Sequence, residues 1–446
     1  MTRPLVAIVG RTNVGKSTLL NRLAGQRVAV VGGLAGITRD RVFAPASWQG
    51  RKLTLIDTGG WQIDGSTVLD EQVGRQVGLA VAEADVIIFV VDVRDGLTAA
   101  DLEIADRLRP TGKPVVLAVN KVDSDKQAPG VFDFCALGIA EPIAISAYHG
   151  KGVSRLTDAV LDLLPPSLGE DEESEVPRLA IVGRPNVGKS TLANALLGYE
   201  RAIVQESPGT TRDALDASLV WDGRQVVLVD TAGLRRRSRV GAPVEYYATL
   251  RSLQAIDRCD VGLLMIDAGE FVTGQDARIA SYILDAGKGM LLLVNKWDSI
   301  ADEFRRAFKW RLEDRLRFMS YVPILYISAT LGQNISAVVP TALSVWEAGR
   351  KRLSAPDVDM VVKQALQDHP PARVGGRRLR VTRAYQDESR PAAFVLKVND
   401  SGLVYPSYGR YLENRLRGQF GFTGFALSLT FSQASSRKRT QRKSER

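Results

Sequence analysis

The chain has 446 residues, of which 45% are hydrophobic and 24% are charged, and this length corresponds to roughly two to four domains with ordinary cores. No stretch approaches about 18 uninterrupted apolar residues, which argues against a membrane-spanning helix, and the first residues, MTRPLVAIVG, run into a strand-like segment without a signal-peptide pattern. The net charge of +9 is uneven, because residues 350–446 hold 20 Lys and Arg against 8 Asp and Glu, or +12, whereas the remaining residues hold 39 against 42, or −3.

The cysteine and histidine content points to a reducing compartment. Only Cys135 and Cys259 occur, without a CxxC pattern, and such cysteines are typical of cytosolic proteins without structural disulfides. His149 and His369 are the two histidines of the chain, and they cannot supply a histidine-based metal site by themselves. We therefore expect a cytoplasmic protein.

Residues 1–165 alternate short Val- and Ile-rich runs with helix-like segments. LVAIVG, LTLID, VIIFVVD, PVVLAVN and PIAIS are continuous apolar runs, which suit strands buried on both faces of a parallel sheet. The motifs GRTNVGKS, ITRD, DTGG, NKVD and ISA lie between or after these runs, and open α/β sheets bind ligands beyond the carboxyl ends of their strands. The pattern predicts an α/β ligand-binding domain.

The same order of runs and motifs recurs in residues 178–349. GRPNVGKS, TTRD and DTAG repeat the first three motifs at one offset, since 183 − 10, 211 − 38 and 230 − 57 each give 173. NKWD follows at an offset of 175 and the second ISA at 182. Equal spacing over this length indicates a duplicated domain. Between the copies, the acidic, proline-flanked residues 166–177 read as a solvated linker.

Each copy contains a P-loop, at residues 10–17 and 183–190, placed between an apolar strand and a helix. In a P-loop the backbone N–H groups and the helix N-terminus surround the phosphates, and the lysine reaches the β- and γ-oxygens. The two predicted loops consist of Gly10, Arg11, Thr12, Asn13, Val14, Gly15, Lys16 and Ser17, and of Gly183, Arg184, Pro185, Asn186, Val187, Gly188, Lys189 and Ser190.

The DxxG motifs and the threonines upstream of them predict a switch that depends on the γ-phosphate. The P-loop serine and the DxxG aspartate would hold Mg²⁺, the threonine would close over the ion, and the glycine would donate its N–H to the γ-phosphate. The predicted Mg²⁺ ligands are Ser17, Thr38 and Asp57 in the first copy and Ser190, Thr211 and Asp230 in the second. The DxxG segments, each with the residue that follows, are Asp57, Thr58, Gly59, Gly60 and Trp61, and Asp230, Thr231, Ala232, Gly233 and Leu234.

NKVD and NKWD favour guanine over adenine. The aspartate carboxylate can accept hydrogen bonds from the ring N–H and the exocyclic amine of guanine, whereas adenine would leave a buried carboxylate unpaired; such sites discriminate by about 10⁴–10⁵. The asparagine would brace the loop, the lysine stem would lie along the base, and the Ser-Ala pair would offer backbone N–H to the guanine carbonyl. The predicted residues are Asn120, Lys121, Val122, Asp123, Ser146 and Ala147, and Asn295, Lys296, Trp297, Asp298, Ser328 and Ala329.

Neither DxxG motif is followed by the glutamine that orients the attacking water in many GTPases. The residues at that position are Trp61 and Leu234, and neither side chain can orient a water molecule. We therefore expect slow unassisted hydrolysis, with help from an arginine finger, which is worth about 10³–10⁵ in rate, or from a monovalent cation at the phosphates.

Residues 353–432, which lie within the basic segment 350–446, have their own arrangement of predicted elements. A helix is predicted near residues 358–367 and another over 408–417, with strands at RRLRVTRAYQ, AAFVLKVN and FALSLTF. The tail, residues 433–446, has almost no apolar residues and is expected to be disordered. The basic charge predicts a polyanionic partner, and nucleic acid is favoured over a membrane surface because no amphipathic anchor or lipidation motif accompanies it.

Over nearly its whole length the chain resembles the EngA/Der family of ribosome-assembly GTPases. The resemblance lies in GRPNVGKST, PGTTRD, DTAG-LRR and NKWD, and in RRLRVTRAYQ, PAAFVLKVN and YGRYLENRLR. It implies an α/β fold with two P-loop GTPase domains of mainly parallel sheet, followed by a small α+β KH-like domain. It also implies binding of GTP or GDP with Mg²⁺, and maturation of the large ribosomal subunit through contacts with rRNA, with no DNA partner.

The resemblance further implies that the P-loop asparagines hold an activating K⁺. The predicted catalytic residues are then Asn13, Lys16, Thr38 and Gly60 in the first site and Asn186, Lys189, Thr211 and Gly233 in the second. In the KH-like domain, an RNA-clamping GXXG loop should lie between two helices, yet GQFG at residue 418 and GFTG at residue 421 follow a helix and precede a strand. RNA contact there could rely on basic charge, or this face could pack on a GTPase domain.

Other interpretations stay open on the sequence alone. The arginine run at residues 235–239 is either a solvated switch segment or a surface that the nucleotide state moves against rRNA. A GTP-regulated binding module at a membrane or the division machinery is one rival function. A tRNA-modification GTPase is another, although the partner domain or reactive cysteine that it normally needs is not evident.

Overall fold

The computed structural model describes residues 3–24, 43–58, 78, 80–165, 175–198, 202–205, 216–231, 244–374, 376–388 and 390–433. Several residues of the predicted sites lie outside these ranges, namely Thr38, Gly59, Gly60, Trp61, Thr211, Ala232, Gly233 and Leu234. The arginine run at residues 235–239 and most of the predicted linker and tail also lie outside the described residues. The chain divides into two compact units, Met1–Glu175 with Arg236–Arg258, and Val176–Arg235 with Cys259–Arg446.

The first unit contains a six-stranded sheet in the order β2-β3-β1-β4-β5-β6. All neighbouring strands are parallel except β2 and β3. The strands are β1 (Leu5–Val9), β2 (Phe43–Trp48), β3 (Arg51–Asp57), β4 (Val86–Asp92), β5 (Val115–Asn120) and β6 (Pro142–Ala144). The helices whose bounds the described residues define are α1 (Lys16–Leu23), α2 (Ala99–Leu108) and α3 (Val153–Leu163), with 3₁₀ segments at Arg109–Thr111 and Asp125–Leu137.

This sheet is buried on both faces, as its continuous apolar runs predict. Every residue of β1 and β4 is buried. Successive residues of one strand enter different cores: Ile88 packs in one core with Ile8, and Phe89 packs in the core on the other face with Leu117. Because side chains alternate across a strand, helices on both faces are needed to cover a strand such as VIIFVVD.

The second unit repeats this sheet with one strand added, in the order β13-β12-β11-β7-β10-β9-β8. Its strands are β7 (Arg178–Val182), β8 (Ala202–Gln205), β9 (Ala217–Trp221), β10 (Arg224–Val229), β11 (Val261–Asp267), β12 (Gly289–Asn295) and β13 (Ile324–Tyr326). Its helices are α4 (Lys189–Leu197), α6 (Gly274–Asp285), α7 (Asp302–Arg315) and α8 (Val338–Gly349), with 3₁₀ segments at Trp297–Ser299, Arg317–Met319 and Ile335–Ala337. Helix α5 (Val244–Arg258) belongs to the second repeat by sequence but groups with the first unit, where Asp257 Oδ1 lies 3.1 Å from Arg3 Nε.

The remainder of the second unit is a small α+β domain. Its elements are α9 (Ala355–Asp368), β14 (Arg373–Val374), β15 (Arg377–Arg378), β16 (Val381–Asp387), β17 (Arg390–Val398), a 3₁₀ turn (Ser401–Leu403), α10 (Pro406–Phe420) and β18 (Ser428–Gln433). Strand β17 is central, antiparallel to β16 and parallel to β18. Phe394 and Leu396 of β17 pack with Leu412 and Leu416 of α10 in one core. The helices and strands predicted for this segment are confirmed.

The segment between α10 and β18 docks this small domain onto the second α/β domain. The carbonyl of Gly424 accepts a hydrogen bond from the Met290 N–H at 2.8 Å, and the Gly424 N–H donates to the Tyr321 carbonyl at 2.8 Å. Phe425 is buried in the core of the second α/β domain, and a Cβ added at Gly349 would lie 2.2 Å from its ring. The GFTG segment thus packs on a neighbouring domain. No helix among the described ranges is both long enough and apolar enough to cross a membrane.

Candidate nucleotide-binding sites

Both P-loops lie between the first strand and the first helix of their domain, and their backbones match. Helices α1 and α4 begin at Lys16 and Lys189. Asn13 and Asn186 both have a φ of 64°, which places two non-glycine residues in the left-handed region. A strained backbone at equivalent positions of two copies is typical of a built ligand loop. The loop also leaves the first N–H groups of each helix available for an anion.

One glycine in each P-loop is required by both its backbone angle and its surroundings. Gly15 has a φ of 96° and Gly188 a φ of 103°. A Cβ at Gly15 would lie 2.4 Å from Asn120 Nδ2, and one at Gly188 would lie 2.3 Å from Asn295 Nδ2. The P-loop therefore touches the asparagine of the NKxD motif so closely that only glycine fits.

Lys16 is buried and Lys189 is partly buried, and among the described residues both ammonium groups donate hydrogen bonds to backbone carbonyls. Lys16 Nζ donates to the Arg11 carbonyl at 2.6 Å, and Lys189 Nζ donates to the carbonyls of Gly183 and Arg184 at 2.8 and 2.5 Å. Burial lowers the pKa of each ammonium from 10.5 to about 8, because a desolvated cation without a sufficient counter-charge is disfavoured. These loops therefore suit an anionic ligand such as a polyphosphate.

Two of the predicted Mg²⁺ ligands of the first site, Ser17 and Asp57, lie together. Ser17 Oγ donates to Asp57 Oδ2 at 2.8 Å, and Thr58 fixes the end of β3 by donating from Oγ1 to the Ile8 carbonyl at 2.8 Å. A hydroxyl beside a carboxylate is an oxygen donor set that Mg²⁺ accepts. In the second site Asp230 has a φ of 59° and donates its N–H to Asp216 Oδ1 at 3.0 Å. The two DxxG motifs therefore begin in different conformations.

The asparagines of the NKxD motifs join three loops in each domain. Asn120 Nδ2 donates to the Val14 carbonyl at 2.8 Å and its Oδ1 accepts from the Ala147 N–H at 2.9 Å. Asn295 does the same with Val187 at 2.8 Å and Ala329 at 3.0 Å. Each asparagine thus links the P-loop to the Ser-Ala loop, which is the bracing that the sequence predicts.

The NKxD lysines form ion pairs that the sequence interpretation missed. Lys121 Nζ pairs with Asp92 and donates to the Asn13 carbonyl. Lys296 Nζ lies 2.5 Å from Asp267 Oδ2. Asp92 ends β4 and Asp267 ends β11, the equivalent strand of the second sheet, and 267 − 92 gives 175, the offset of the NKxD motifs. Aligning the repeats residue by residue would have revealed them.

The carboxylates predicted to select guanine have different surroundings in the two sites. Asp123 accepts from Ser146 Oγ at 2.7 Å and from Arg94 Nη2 at 2.6 Å. The Ser146 hydrogen bond first, and the Arg94 guanidinium with it, hold the pKa of Asp123 below its usual value. The position of Arg94 is Gly269 in the second repeat, since 269 − 94 also gives 175. Among the described residues, Asp298 has no ion-pair partner.

The central residues of the NKxD motifs, Val122 and Trp297, are held by equivalent backbone hydrogen bonds, to Ile145 at 3.0 Å and Ile327 at 3.1 Å. Val122 is partly buried, and the Trp297 indole, which is buried, lies 4.5 Å from the Tyr326 ring and 5.3 Å from the Phe308 ring. This aromatic cluster has no counterpart at Val122, so the two NKxD loops rest on different supports.

The second P-loop residue of each repeat ties its loop to the next helix. Arg184 lies 3.0 Å from Asp276 and 2.6 Å from Glu270. Arg11 lies 2.6 Å from Asp95 and 3.5 Å from Asp101. Asp101 and Asp276 also close capping boxes with Thr98 and Thr273 at the start of α2 and α6. The arginine side chains thus act as fixed struts between the P-loop and these helices.

Two P-loop domains, each with a following NKxD motif at the carboxyl edge of its sheet, define a tandem GTPase. The family described as 50S ribosome-binding GTPase matches residues 5–121 and 178–296. The family described as the C-terminal KH-domain-like region of EngA bacterial GTPase enzymes matches residues 352–432.

Curated relatives match along the whole chain. GTPase Der of Caldanaerobacter subterraneus is 46% identical over 96% of this chain and 98% of the relative. GTPase Der of Chloroflexus aggregans is 44% identical over 97% of this chain and 98% of the relative. Among solved structures, Era of Aquifex aeolicus aligns with 72% of this chain and 100% of its own, at 23% identity and a TM-score of 0.33. The chain belongs to the Der family, also called EngA. It is a GTP-binding switch protein that hydrolyses GTP, with two GTPase domains and a KH-like domain.

Proposed function

We propose that both sites bind GTP and GDP with Mg²⁺, through the residues predicted from the motifs. The observation that carries this proposal is the pair of P-loop lysines, the buried Lys16 and the partly buried Lys189, whose depressed pKa of about 8 an anion would raise. Ser17, Thr38 and Asp57, and Ser190, Thr211 and Asp230, would hold Mg²⁺. When bound, the ion would neutralise charge that develops on the phosphate oxygens during hydrolysis.

Guanine selection can be tested one site at a time by replacing its carboxylate with an amide. Xanthine has a carbonyl where guanine has its exocyclic amine, so an asparagine N–H₂ group would donate to it. In Asp298→Asn, GTP affinity at the second site should fall about 100-fold, because two hydrogen bonds to a charged acceptor are lost, and xanthosine triphosphate should bind instead. Asp123→Asn should do the same at the first site. Unchanged GTP affinity in both variants, measured by calorimetry, would refute the assignment of these carboxylates.

Hydrolysis at both sites is proposed to be slow and to depend on K⁺ held by Asn13 and Asn186. Both asparagines are exposed and share the left-handed φ of 64°. Since Trp61 and Leu234 cannot orient water, a cation at the phosphates would supply the missing positive charge. GTP turnover should be faster in KCl than in NaCl at equal ionic strength. Equal rates in the two salts would contradict the proposal.

The finer biological role is proposed to be maturation of the large ribosomal subunit in the cytoplasm, through nucleotide-dependent contacts with rRNA. Two features support it. The family description that matches both GTPase domains names 50S ribosome binding, and residues 350–446 carry a net charge of +12.

Co-sedimentation with purified large-subunit particles tests this role directly. The wild-type chain should travel with the particles in one nucleotide state, either with a non-hydrolysable GTP analogue or with GDP. Asp298→Asn with xanthosine nucleotides then shows whether the second site controls binding, and Asp123→Asn is its matched control. Absence of the wild-type chain from the particle fraction in every nucleotide state would overturn the role in ribosome maturation.

A further inference from the structure

The KH-like domain carries a short hairpin that is rich in arginine. Strands β14 (Arg373–Val374) and β15 (Arg377–Arg378) pair antiparallel and lead into β16. Arg373, Arg377, Arg378 and Arg380 are exposed, and these four residues are called the arginine hairpin below. Between His369 and Gln386 the sequence contains no Asp or Glu. The hairpin is therefore a dense positive surface without acidic residues in its own segment.

The strand register places like charges directly opposite each other twice. Arg373 is the cross-strand partner of Arg378, and Arg383 of β16 is the partner of Lys397 in β17. Like charges in directly opposed positions destabilise an antiparallel pair. A polyanion lying across these pairs would convert that repulsion into attraction, so the arrangement suits a bound anion better than free solvent.

Carboxylates neutralise little of this charge. Arg377 Nη1 lies 3.7 Å from Asp400 Oδ2, with the arginine side chain 76% exposed and the aspartate side chain 34% exposed, and a long pair with a solvated arginine contributes little. Within the described part of the chain, no carboxylate lies within ion-pair distance of Arg373, Arg378 or Arg380. The hairpin therefore keeps its guanidinium groups available to a partner.

The hairpin is fixed to the sheet of the KH-like domain. Asn399, just after β17, donates from Nδ2 to the Arg378 carbonyl at 3.0 Å and accepts from the Arg380 N–H at 2.8 Å. Its own N–H donates to the Arg380 carbonyl at 3.1 Å. Leu379, between the two arginines, is buried in the domain core. The arginine side chains thus project from an ordered backbone, which lowers the entropy lost on binding.

We propose that the arginine hairpin binds the phosphate backbone of RNA. This inference rests on the proposed function, since it names the surface through which the KH-like domain would meet rRNA. The planar guanidinium fork matches phosphate oxygens. A membrane surface is disfavoured because interfacial binding needs exposed apolar residues among the cations, and Leu379 points into the core. The GFTG segment is already engaged by the second GTPase domain, so the hairpin takes the role that a GXXG loop would have.

The test removes three of the four charges in the full chain, as Arg373→Gln, Arg378→Gln and Arg380→Gln combined. The matched control replaces three exposed arginines of the GTPase domains, Arg107, Arg155 and Arg278, by glutamine. Binding to a transcript of large-subunit rRNA is measured at several KCl concentrations. Each lost phosphate contact lowers the slope of log K against log [KCl] by about 0.7–0.9, so the hairpin variant should have a slope smaller by about 2–3. The control should keep the wild-type slope.

Two further measurements separate the possible outcomes. Thermal unfolding should show no loss of stability in the hairpin variant, because the substitutions remove repulsion. A wild-type slope in that variant, or a weaker RNA affinity explained by a lower melting temperature, would overturn the inference. Preferential binding of the wild-type chain to phosphatidylglycerol vesicles, lost in the hairpin variant, would replace RNA by a membrane and also overturn it.

The proposed function can fail independently of this inference. If the wild-type chain binds the transcript through the hairpin but never travels with large-subunit particles, the ribosomal role is wrong and the hairpin inference stands. If the particles are bound equally well by the wild type and the hairpin variant, and the salt dependence is also equal, the ribosomal role stands and the hairpin inference is wrong.

Discussion

The two nucleotide sites share their motifs and most of their backbone geometry, yet the carboxylates proposed to select guanine have different surroundings. In the first site, Arg94 lies 2.6 Å from Asp123. In the second site, the equivalent residue is Gly269, and Asp298 has no ion pair among the described residues. If Asp123 and Asp298 bind the base as proposed, a guanidinium competes with the base in the first site and, among the described residues, not in the second. Duplicated domains can keep every motif and still diverge through a residue that no motif contains.

The largest expected effect is the loss of nucleotide binding at one site after a single substitution in its P-loop, which allows the other site to be measured alone. In Gly15→Ala or Gly188→Ala, a side chain is forced into a positive φ and within 2.4 or 2.3 Å of the NKxD asparagine. Backbone strain of this kind costs about 1–3 kcal/mol before the steric clash is counted, so nucleotide affinity at that site should fall about 100-fold or more. Calorimetry should report one bound GDP per chain in place of two.

The control for this experiment is Gly112→Ala. Gly112 has a φ of 64° but no heavy atom within 4 Å of an added Cβ, so it carries the strain without the clash. It should keep two bound nucleotides. Two tight sites in Gly15→Ala and Gly188→Ala would show that the close approach to the asparagine is not essential.

A medium effect compares the arginine struts of the two P-loops. Arg184 contacts Asp276 at 3.0 Å, whereas Arg11 reaches Asp101 only at 3.5 Å, and Asp276 and Asp101 are both buried. Removing the partner of a buried charge costs about 3–5 kcal/mol, which partial exposure of the arginine and the capping hydrogen bonds reduce. We expect Arg184→Met to destabilise its domain by about 2 kcal/mol and Arg11→Met by about 1 kcal/mol.

Scanning calorimetry of the full chain would measure these losses as lower transition temperatures of the two domains. Arg278→Met, which changes an exposed arginine of α6, is the control and should leave both transitions in place. Equal losses at the two struts would mean that the difference in distance has no energetic consequence.

The smallest effect concerns Arg94 itself. Both partners of its ion pair are partly solvated, and pairs of this kind are worth up to about 1 kcal/mol. In a Gly188→Ala background, which leaves only the first site active, Arg94→Ala should increase GDP affinity about two- to fivefold. The increase should vanish in high salt, where exposed charges are screened.

The reciprocal change is Gly269→Arg in a Gly15→Ala background, which should weaken GDP binding at the second site by a similar factor. Gly274→Arg is its control, since that position has open space around it. If Arg94→Ala weakens binding, the arginine contacts the bound nucleotide in place of competing with it.

The sequence was sufficient to predict the strands and loops that carry the nucleotide motifs. Every apolar run assigned to a strand forms one, because a strand buried on both faces has a composition that few other structures share. Strands β2, β8 and β9 were not predicted. Strands β2 and β8 are edge strands of their sheets, and β9 is the neighbour of β8. Strand β2 also contains a proline, which is typical of edge strands.

The side-chain pairing of the sites could be predicted only in part. Asn120 and Asn295 brace their loops as expected, since their motif fixes both position and chemistry. The partners Asp92, Asp267 and Arg94 could not be assigned from one copy alone, because each contact joins residues 29 positions apart whose approach depends on the sheet. The packing of Phe425 against Gly349 likewise required the three-dimensional arrangement of two domains.

Strand β12 joins the contact with the KH-like domain to the NKWD motif of the second nucleotide site. The N–H of its second residue, Met290, donates to the Gly424 carbonyl of the KH-like domain, and its last residue, Asn295, begins the NKWD motif. Five residues of extended chain span about 17 Å, and this strand is buried at every position. The NKWD loop lies at one end of this strand, and the contact with the KH-like domain lies at the other. Because the backbone hydrogen bonds of Gly424 and the buried Phe425 fasten the KH-like domain to the core of the second GTPase domain, we expect the two domains to move together as one body.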